Sequence, residues 1–235
     1  MLLFAPLASN MVSYGQTSTD AATIIIDDFE RYRAGDAPYN WKKVSGNKLI
    51  DSEKELIVDD DYFVIMDESN NKFIRAYVDN ESTQVVRPRD DGYKWNLKTH
   101  RILQWDWRAV ALPDGANERN SSTNDTGGAL YVTFSKDFIG RPRIIKYSYS
   151  STLPVDSVVR FGRLVVIVAS SASEAMGSWV HVERDVVEDY IRVFGKRPPD
   201  EPLAIALWSD SDNTEDVAMV DFDNIELLST IDERN

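Results

Sequence analysis

The chain has 235 residues and no cysteine, and its 26 basic and 39 acidic side chains give a formal net charge of −13. The lack of cysteine excludes disulfides, zinc–thiolate sites and cysteine nucleophiles. The negative charge repels phosphate backbones and anionic lipid surfaces, so nucleic acid and acidic membranes are disfavoured as partners. No apolar run reaches the roughly 18 residues that a membrane span requires.

The first 22 residues resemble the end of an export signal. Leu2 to Ala8 form an apolar stretch, and the small residues leading to Gly15 suit cleavage by a signal peptidase after that glycine. No basic residue precedes Arg31, so the charged start of a signal is missing, and an ordinary flexible terminus remains an alternative. We predict an extracytoplasmic protein, located in the periplasm, at the cell surface or outside the cell.

Short apolar segments separated by turn residues recur from residue 23 onward, a rhythm typical of all-β proteins. Alternation is clearest where Leu103, Trp105, Trp107 and Ala109 are apolar and the intervening residues are polar, as a strand with one buried side requires. Strands are predicted at 23–27, 73–78, 102–110, 129–134, 144–149, 164–169, 203–208 and 217–227.

One helix is predicted within this strand pattern. Asp185 is placed to cap its first turn, and Glu188 follows three residues later, as in a capping box. An apolar face follows, and Gly195 ends the helix before two prolines. We expect the helix to plug one end of the fold, and we expect the acidic stretch 51–68 and the long loop 114–128 to be solvated.

The two ends of the chain resemble the first and last strands of carbohydrate-binding jelly-roll sandwiches. Asp27-Asp28-Phe29-Glu30 follows an apolar run near the start, and Asp221-Phe222-Asp223 lies near the end. The resemblance implies that these strands pair and that Asp28, Glu30 and Asp223 hold a structural calcium ion, which prefers oxygen ligands. The alternative is that these acids are solvated strand ends. A second candidate, the segment 210–213, is better explained as an Asx-rich turn.

Several motifs in a fixed order resemble a bacterial exported family, domain of unknown function 3047. The motifs are Leu103-Gln104-Trp105-Asp106-Trp107-Arg108, Asn124-Asp125 before the strand at 129–134, Lys146-Tyr147-Ser148-Tyr149-Ser150, Asp189-Tyr190 with Pro198-Pro199, and Asp210-Ser211-Asp212-Asn213-Thr214. The resemblance covers about residues 24–228 and implies a sandwich fold without implying a reaction or substrate. Tyr149 stands where the family usually has tryptophan.

A sugar-binding surface needs an aromatic ring for stacking beside planar polar groups for hydrogen bonding. Gln104, Asp106 and Arg108 share one face of a strand, and nearby tyrosines and a tryptophan are candidates for the stacking role. The predicted ligand-binding residues are Gln104, Asp106, Arg108, Tyr131, Tyr147, Tyr149 and Trp208. The alternative is that the polar face is merely solvated and that the aromatic residues pack in the core.

The strand pattern predicts an all-β protein with one short helix, formed by residues 23–235 as a single domain, and the resemblance implies a galactose-binding-like jelly roll of two antiparallel sheets. The predicted function is non-catalytic binding of a glycan or polysaccharide in the cell envelope. One alternative is a self-assembling surface or filament subunit that uses the N-terminal segment for strand addition. The other is a glycan-cleaving enzyme, although the sequence contains no catalytic motif and its two histidines, His100 and His181, are isolated.

Overall fold

A computed structural model of the protein describes residues 23–45, 48–51 and 61–230. The signal-like segment 1–22 lies outside the described residues, and so do residues 52–60 of the acidic stretch. No helix within the described parts of the chain is long and apolar enough to cross a membrane.

The described residues form two β-sheets and a short helix. The strands are β1 (Ile24–Asp27), β2 (Lys42–Ser45), β3 (Lys48–Asp51), β4 (Asp61–Glu68), β5 (Asn71–Asp79), β6 (Ser82–Pro88), β7 (Ile102–Ala111), β8 (Thr126–Lys136), β9 (Pro142–Ser150), β10 (Val158–Phe161), β11 (Leu164–Ser171), β12 (Val180–Asp185), β13 (Ala204–Asp210) and β14 (Val217–Leu228), and helix α1 (Val186–Phe194) follows β12. The six-stranded sheet has the order β12-β7-β14-β5-β4, with β1 also paired to β14. The eight-stranded sheet has the order β10-β11-β9-β8-β13-β6-β2-β3.

The chain crosses repeatedly between the two sheets, as in a jelly roll. It does so from β5 through β6 and β7 to β8, and again from β11 through β12 and β13 to β14. Paired strands are antiparallel except for β9 and β11, which run parallel. Strand β1 lies against the end of β14, with Ile24 opposite Leu227. The predicted all-β sandwich and the predicted pairing of the two terminal strands are therefore confirmed.

Alternate residues along the strands point inward, and their large side chains fill the space between the two sheets. Trp105 and Trp107 on β7 are fully buried, and their rings pack edge to face with centroids 5.3 Å apart. Tyr147 and Tyr149 from β9 lie against these two tryptophans at centroid distances of 5.5 and 5.1 Å. The predicted buried side of β7 is confirmed, and the aromatic layer joins the two sheets.

A fully buried carboxylate fixes the start of the fold. Asp27 Oδ2 accepts hydrogen bonds from Tyr32 Oη at 2.7 Å, Trp41 Nε1 at 2.9 Å and Arg87 Nη1 at 2.8 Å. Its other oxygen accepts from the backbone N–H of Phe29 at 3.2 Å. A charge removed from water needs partners of this kind, so Asp27 binds β1 to β6 of the opposite sheet through Arg87.

The helix has the predicted boundaries. Asp185 Oδ1 accepts from the backbone N–H groups of Val187 and Glu188, and Gly195 closes the helix in the left-handed conformation with φ of 70°. Val186 and Tyr190 are among the helix side chains buried in the main hydrophobic core. The helix is therefore packed against the sandwich through its apolar face.

Two stretches that we expected to be solvated are partly buried. Strand β4 occupies the end of the acidic stretch, and its Phe63 and Ile65 are fully buried because alternate residues point inward. In the long loop, Glu118 is 1% exposed and accepts a hydrogen bond from Ser150 Oγ at 2.7 Å. The polar composition of both stretches does not reveal these inward-facing positions.

Candidate functional site

The outer face of the six-stranded sheet carries three of the predicted ligand residues. Gln104, Asp106 and Arg108 alternate along β7 with the buried core residues, and all three are partly exposed. Gln104 Nε2 donates to Glu226 Oε2 at 2.6 Å on the neighbouring strand β14. The predicted common face of these three residues is present in the fold.

Arg108 is fixed by a buried carboxylate. Its Nε and Nη2 donate to Asp221 Oδ2 at 2.9 and 2.8 Å, and Nη2 also lies 2.9 Å from Glu68 Oε2. Arg75 Nε and Nη2 bind the same Asp221 carboxylate at 2.6 and 2.9 Å. Asp221 is fully buried, so two guanidinium groups compensate one charge that has lost its water.

An exposed tryptophan lies directly beside Arg108. The guanidinium carbon of Arg108 is 4.8 Å from the centre of the Trp179 ring, and Phe73 meets that ring edge to face at 5.3 Å. Trp179 is 37% exposed, whereas Phe73 is only 2% exposed. The cation–π contact and the aromatic contact hold a large ring at the surface. We call Phe73, Asp106, Arg108, Trp179 and His181 the Trp179 surface.

A histidine and a carboxylate complete this surface. His181 Nδ1 lies 2.8 Å from Asp106 Oδ1, and Asn224 Nδ2 donates to Asp106 Oδ2 at 2.8 Å. Asp223 is opposite Asp106 in the strand register, and burial raises the pKa of Asp223 to about 6, with a further rise from Asp106 and Glu30. The Trp179 surface thus combines a fixed ring with several oriented hydrogen-bonding groups.

The other predicted ligand residues lie elsewhere. Tyr131 and Trp208 face outward from the eight-stranded sheet, where their rings stack with centroids 5.3 Å apart. Tyr147 and Tyr149 point into the core, where they are fully buried against Trp105 and Trp107. The seven predicted residues therefore do not form one surface.

Two of the three predicted metal ligands, Glu30 and Asp223, already accept hydrogen bonds from other residues. Glu30 binds Lys72 through the backbone N–H at 2.8 Å and the ammonium at 3.4 Å, and Asp223 Oδ2 accepts from Asn71 Nδ2 at 3.0 Å. Within residues 23–45, 48–51 and 61–230, the carboxylate oxygens of Asp28, Glu30 and Asp223 do not form a group within 4.8 Å of one another. Lys72 already supplies a positive charge beside Glu30.

A different acidic cluster can hold a metal ion. One carboxylate oxygen from each of Asp125, Asp210 and Asp212 lies within 4.8 Å of the others. Burial raises the pKa of Asp210 to about 7; the nearby ammonium of Lys146 opposes this rise, and the other two aspartates increase it. Thr126 is 1% exposed, pairs with Asp210 in the sheet, and its Oγ1 lacks a hydrogen-bond partner in the described structure.

Asp125 also organises the turn that carries Asp212. Its oxygens accept from Asn213 N at 3.1 Å, Thr214 N at 2.7 Å and Thr214 Oγ1 at 2.6 Å. Asp210 ends β13 and the turn follows at residues 212–215, so the predicted turn covers only part of the segment 210–213; the distant Asp125 is the residue that sequence spacing could not connect to it.

Grooves away from the Trp179 surface include one beside α1 and one on the eight-stranded sheet. One of about 540 Å³ runs beside α1 and is lined mainly by the ion-paired side chains Arg184, Asp189 and Arg192. The other, of about 250 Å³, is bordered by Gln84 and Trp208 on the eight-stranded sheet. The lining of the first lacks an aromatic ring for stacking, whereas that of the second includes Trp208.

Sequence reasoning did not single out Trp179, Phe73 or the two tyrosines Tyr62 and Tyr77, which stack at 4.9 Å on the same outer face. The missing step was strand β12, which we did not predict. In the fold, β12 pairs with β7 so that Val180 lies opposite Trp107. This register brings the preceding residue, Trp179, next to Arg108.

A family model described as "Protein of unknown function (DUF3047)" matches residues 54–226. The chain belongs to the DUF3047 family. The match includes the Trp179 surface and the three aspartates Asp125, Asp210 and Asp212, and it confirms the family suggested by the ordered motifs. No curated protein sequence matches this DUF3047 chain significantly.

Solved structures similar to this DUF3047 chain include several carbohydrate-binding modules. The family 11 module of the cellulase Lic26A-Cel5E of Clostridium thermocellum has 13% identity and a TM-score of 0.46, covering 91% of this chain and 98% of the module. The family 30 module of Cel9D-Cel44B from the same organism has 14% identity and a TM-score of 0.42, covering 84% and 96%. An adhesin domain of Lys-gingipain from Porphyromonas gingivalis has 9% identity and a TM-score of 0.40, covering 89% and 99%. At these values the similarities assign no ligand to the chain.

Proposed function

We propose that this DUF3047 protein is a non-catalytic glycan-binding β-sandwich of the cell envelope, and that the Trp179 surface is its ligand site. The observation that carries the proposal is the exposed Trp179 ring, which Arg108 and Phe73 hold in place on the outer face of a sheet. A sugar ring buries its C–H face on such a platform at little cost in side-chain entropy, because the aromatic side chain is already ordered.

The polar groups around the ring support the same function. Asp106 is oriented by His181 and Asn224, and Gln104 lies one alternation further along β7. The bonds from Arg108 to Asp221 and Glu68 use Nε and Nη2, not Nη1. Donors and acceptors on planar groups next to an aromatic platform match the alternating hydroxyl and C–H surfaces of a glycan. The location in the cell envelope rests on the signal-like segment 1–22.

The test is a glycan-array screen of the full chain, repeated with Trp179→Ala. We expect specific binding by the wild type and its loss in the variant. The matched control is Trp208→Ala, which removes an outward-facing tryptophan from the other sheet. Loss of binding in Trp208→Ala with retention in Trp179→Ala would move the site to the eight-stranded sheet. No binding by a cooperatively melting wild type would overturn glycan binding itself.

We further propose that Asp125, Asp210 and Asp212 bind a structural calcium ion. Three carboxylates within 4.8 Å supply the hard oxygen ligands that calcium prefers, and the unpaired Thr126 Oγ1 supports a further ligand position. Thermal melting with calcium and with chelator tests the proposal. We expect calcium to raise the melting temperature of the wild type and not that of Asp212→Asn; equal responses would contradict the assignment.

A further inference from the structure

The turn between β8 and β9 exposes two large apolar side chains. Phe138 is 95% exposed and Ile139 is 60% exposed. Single exposed apolar residues are ordinary in proteins. Here a phenylalanine that is almost fully exposed stands next to an exposed isoleucine, so the turn leaves a large apolar area in contact with water. An external surface that covers both residues would remove that area from water.

The exposure comes from a defined turn. Asp137 Oδ1 accepts from the backbone N–H groups of Ile139 and Arg141 at 3.1 and 2.8 Å, and Arg141 Nε donates to Asp137 Oδ2 at 2.8 Å. Gly140, with φ of 83°, donates its N–H to the Asp137 carbonyl at 3.0 Å. These bonds preorganise the turn with its two apolar side chains outward, which lowers the entropy cost of binding.

A second turn extends this end of the molecule. Between β10 and β11, Phe161 is 42% exposed, and Arg163 Nη1 lies 3.9 Å from Asp137 Oδ2. Arg163 Nε also donates to the Pro142 carbonyl at 3.3 Å, so the two turns are adjacent. We call Lys136–Arg141 together with Phe161 and Arg163 the apolar tip.

The charge of the apolar tip is opposite to that of the whole chain. Its basic residues are Lys136, Arg141 and Arg163, and its single carboxylate, Asp137, is bonded to Arg141 and lies near Arg163. The net charge of −13 belongs to the whole chain, but solvent-exposed charges interact little beyond about 8 Å at physiological salt. The apolar tip therefore presents basic and apolar side chains together to any surface that it contacts.

We propose that the apolar tip binds the surface of an anionic lipid bilayer, with Phe138 and Ile139 entering the headgroup region and Lys136, Arg141 and Arg163 facing the lipid phosphates. Membrane-surface elements combine apolar residues with basic ones in this way. A stable protein interface needs roughly 800 Å² from each partner, more than a projecting pair of side chains provides, which favours the bilayer over a protein. This proposal does not depend on the glycan site.

The experiment is co-sedimentation of the full chain with vesicles of phosphatidylcholine alone and with about 30% phosphatidylglycerol. We expect binding only to the anionic vesicles, an about tenfold lower partition coefficient for Phe138→Ser with Ile139→Ser, and an about fivefold lower one for Lys136→Gln. The matched control is Ile25→Ser, which removes an isoleucine of 48% exposure from β1 and should leave binding unchanged.

Three results would overturn the proposal. One is wild-type protein that stays in the supernatant with both vesicle types, and another is equal binding to both. The third is a dimer in sedimentation velocity that the Phe138→Ser and Ile139→Ser double variant dissociates, which would assign the tip to a second copy of the chain. Unchanged vesicle binding by Trp179→Ala would separate this site from the glycan surface.

Discussion

Arg108 lies over the ring of Trp179, with its guanidinium carbon 4.8 Å from the ring centre. The same guanidinium binds Asp221, which is fully buried in β14, so the position of an exposed ring is linked to an ion pair inside the sheet. The buried carboxylate of Asp221 therefore helps to fix the position of the exposed Trp179 ring through Arg108.

We expect Arg108→Gln to weaken glycan binding about fivefold, because the ring of Trp179 loses a cation–π contact of about 1 kcal/mol that orders it. Isothermal titration with a glycan that binds the wild type measures the change. The matched control is Arg75→Gln, which removes the other guanidinium on Asp221 and leaves the contact with Trp179 in place. Equal losses in the two variants would show that Asp221 pairing, and not the contact with the ring, controls affinity.

We expect Asp27→Ala to lower the free energy of unfolding by about 3–5 kcal/mol, because the buried Arg87 then loses its carboxylate. Urea unfolding monitored by tryptophan fluorescence measures this loss. Asp28→Ala is the control: Asp28 Oδ1 accepts one exposed local bond from Glu30 N, and its loss should cost about 1 kcal/mol or less. Similar losses in both variants would contradict the role of Asp27.

We expect stability in chelator to fall as pH rises from about 4 to about 7. The pKa of Asp210 is 3.8 in its ordinary state and about 7 in the fold, so over this window the unfolded chain releases a proton that the folded chain retains. In Asp210→Asn this proton is absent, so the free energy of unfolding should fall by about 1–3 kcal/mol less over this window than in the wild type. The range allows for the partial exposure of Asp210. Urea unfolding across the window measures it.

Asp223→Asn should remove a separate part of the same pH dependence, between about pH 4 and 6, since burial raises the pKa of Asp223 to about 6. A pH dependence that is identical in the wild type and in Asp210→Asn would show that the proton is held elsewhere.

We expect Gly128→Ala to destabilise the protein by about 1–3 kcal/mol, because a methyl group at this position would lie 2.7 Å from Val220 Cγ1 across the core. Thermal and urea unfolding measure the effect. Combining it with Val220→Ala should cost less than the sum of the two single changes, since the smaller side chain makes room. Strict additivity would contradict the close approach.

The strands that we predicted from sequence are those with a strong pattern. Strand β7 alternates large apolar and polar residues over its length, and β14 carries the acidic motif that ends the fold. Strands β2, β3, β4, β6, β10 and β12 were missed. In β12, the sequence His181 to Arg184 contains one buried residue, Val182, so the pattern is too weak to recognise without its partner.

The candidate site was predicted only in part. Gln104, Asp106 and Arg108 were correctly placed on one face because strand alternation is a local property. Their distance from Tyr131 could not be foreseen, since nothing local states that β7 and β8 belong to different sheets. For the same reason, Asp125 could not be joined to Asp210 and Asp212, which lie more than 80 residues away along the chain.

The sequence by itself determined the all-β class and the capped helix, because periodicity and capping depend on residues that are close together in the chain. It also indicated the pairing of the two ends, through a resemblance carried by the motifs at those ends. Tertiary structure alone decided that Trp179 meets Arg108, and that the carboxylates of Asp125 and Asp210 converge. The physical reason is that each such contact depends on strand order and register, which are set by how the whole core packs and not by any single segment.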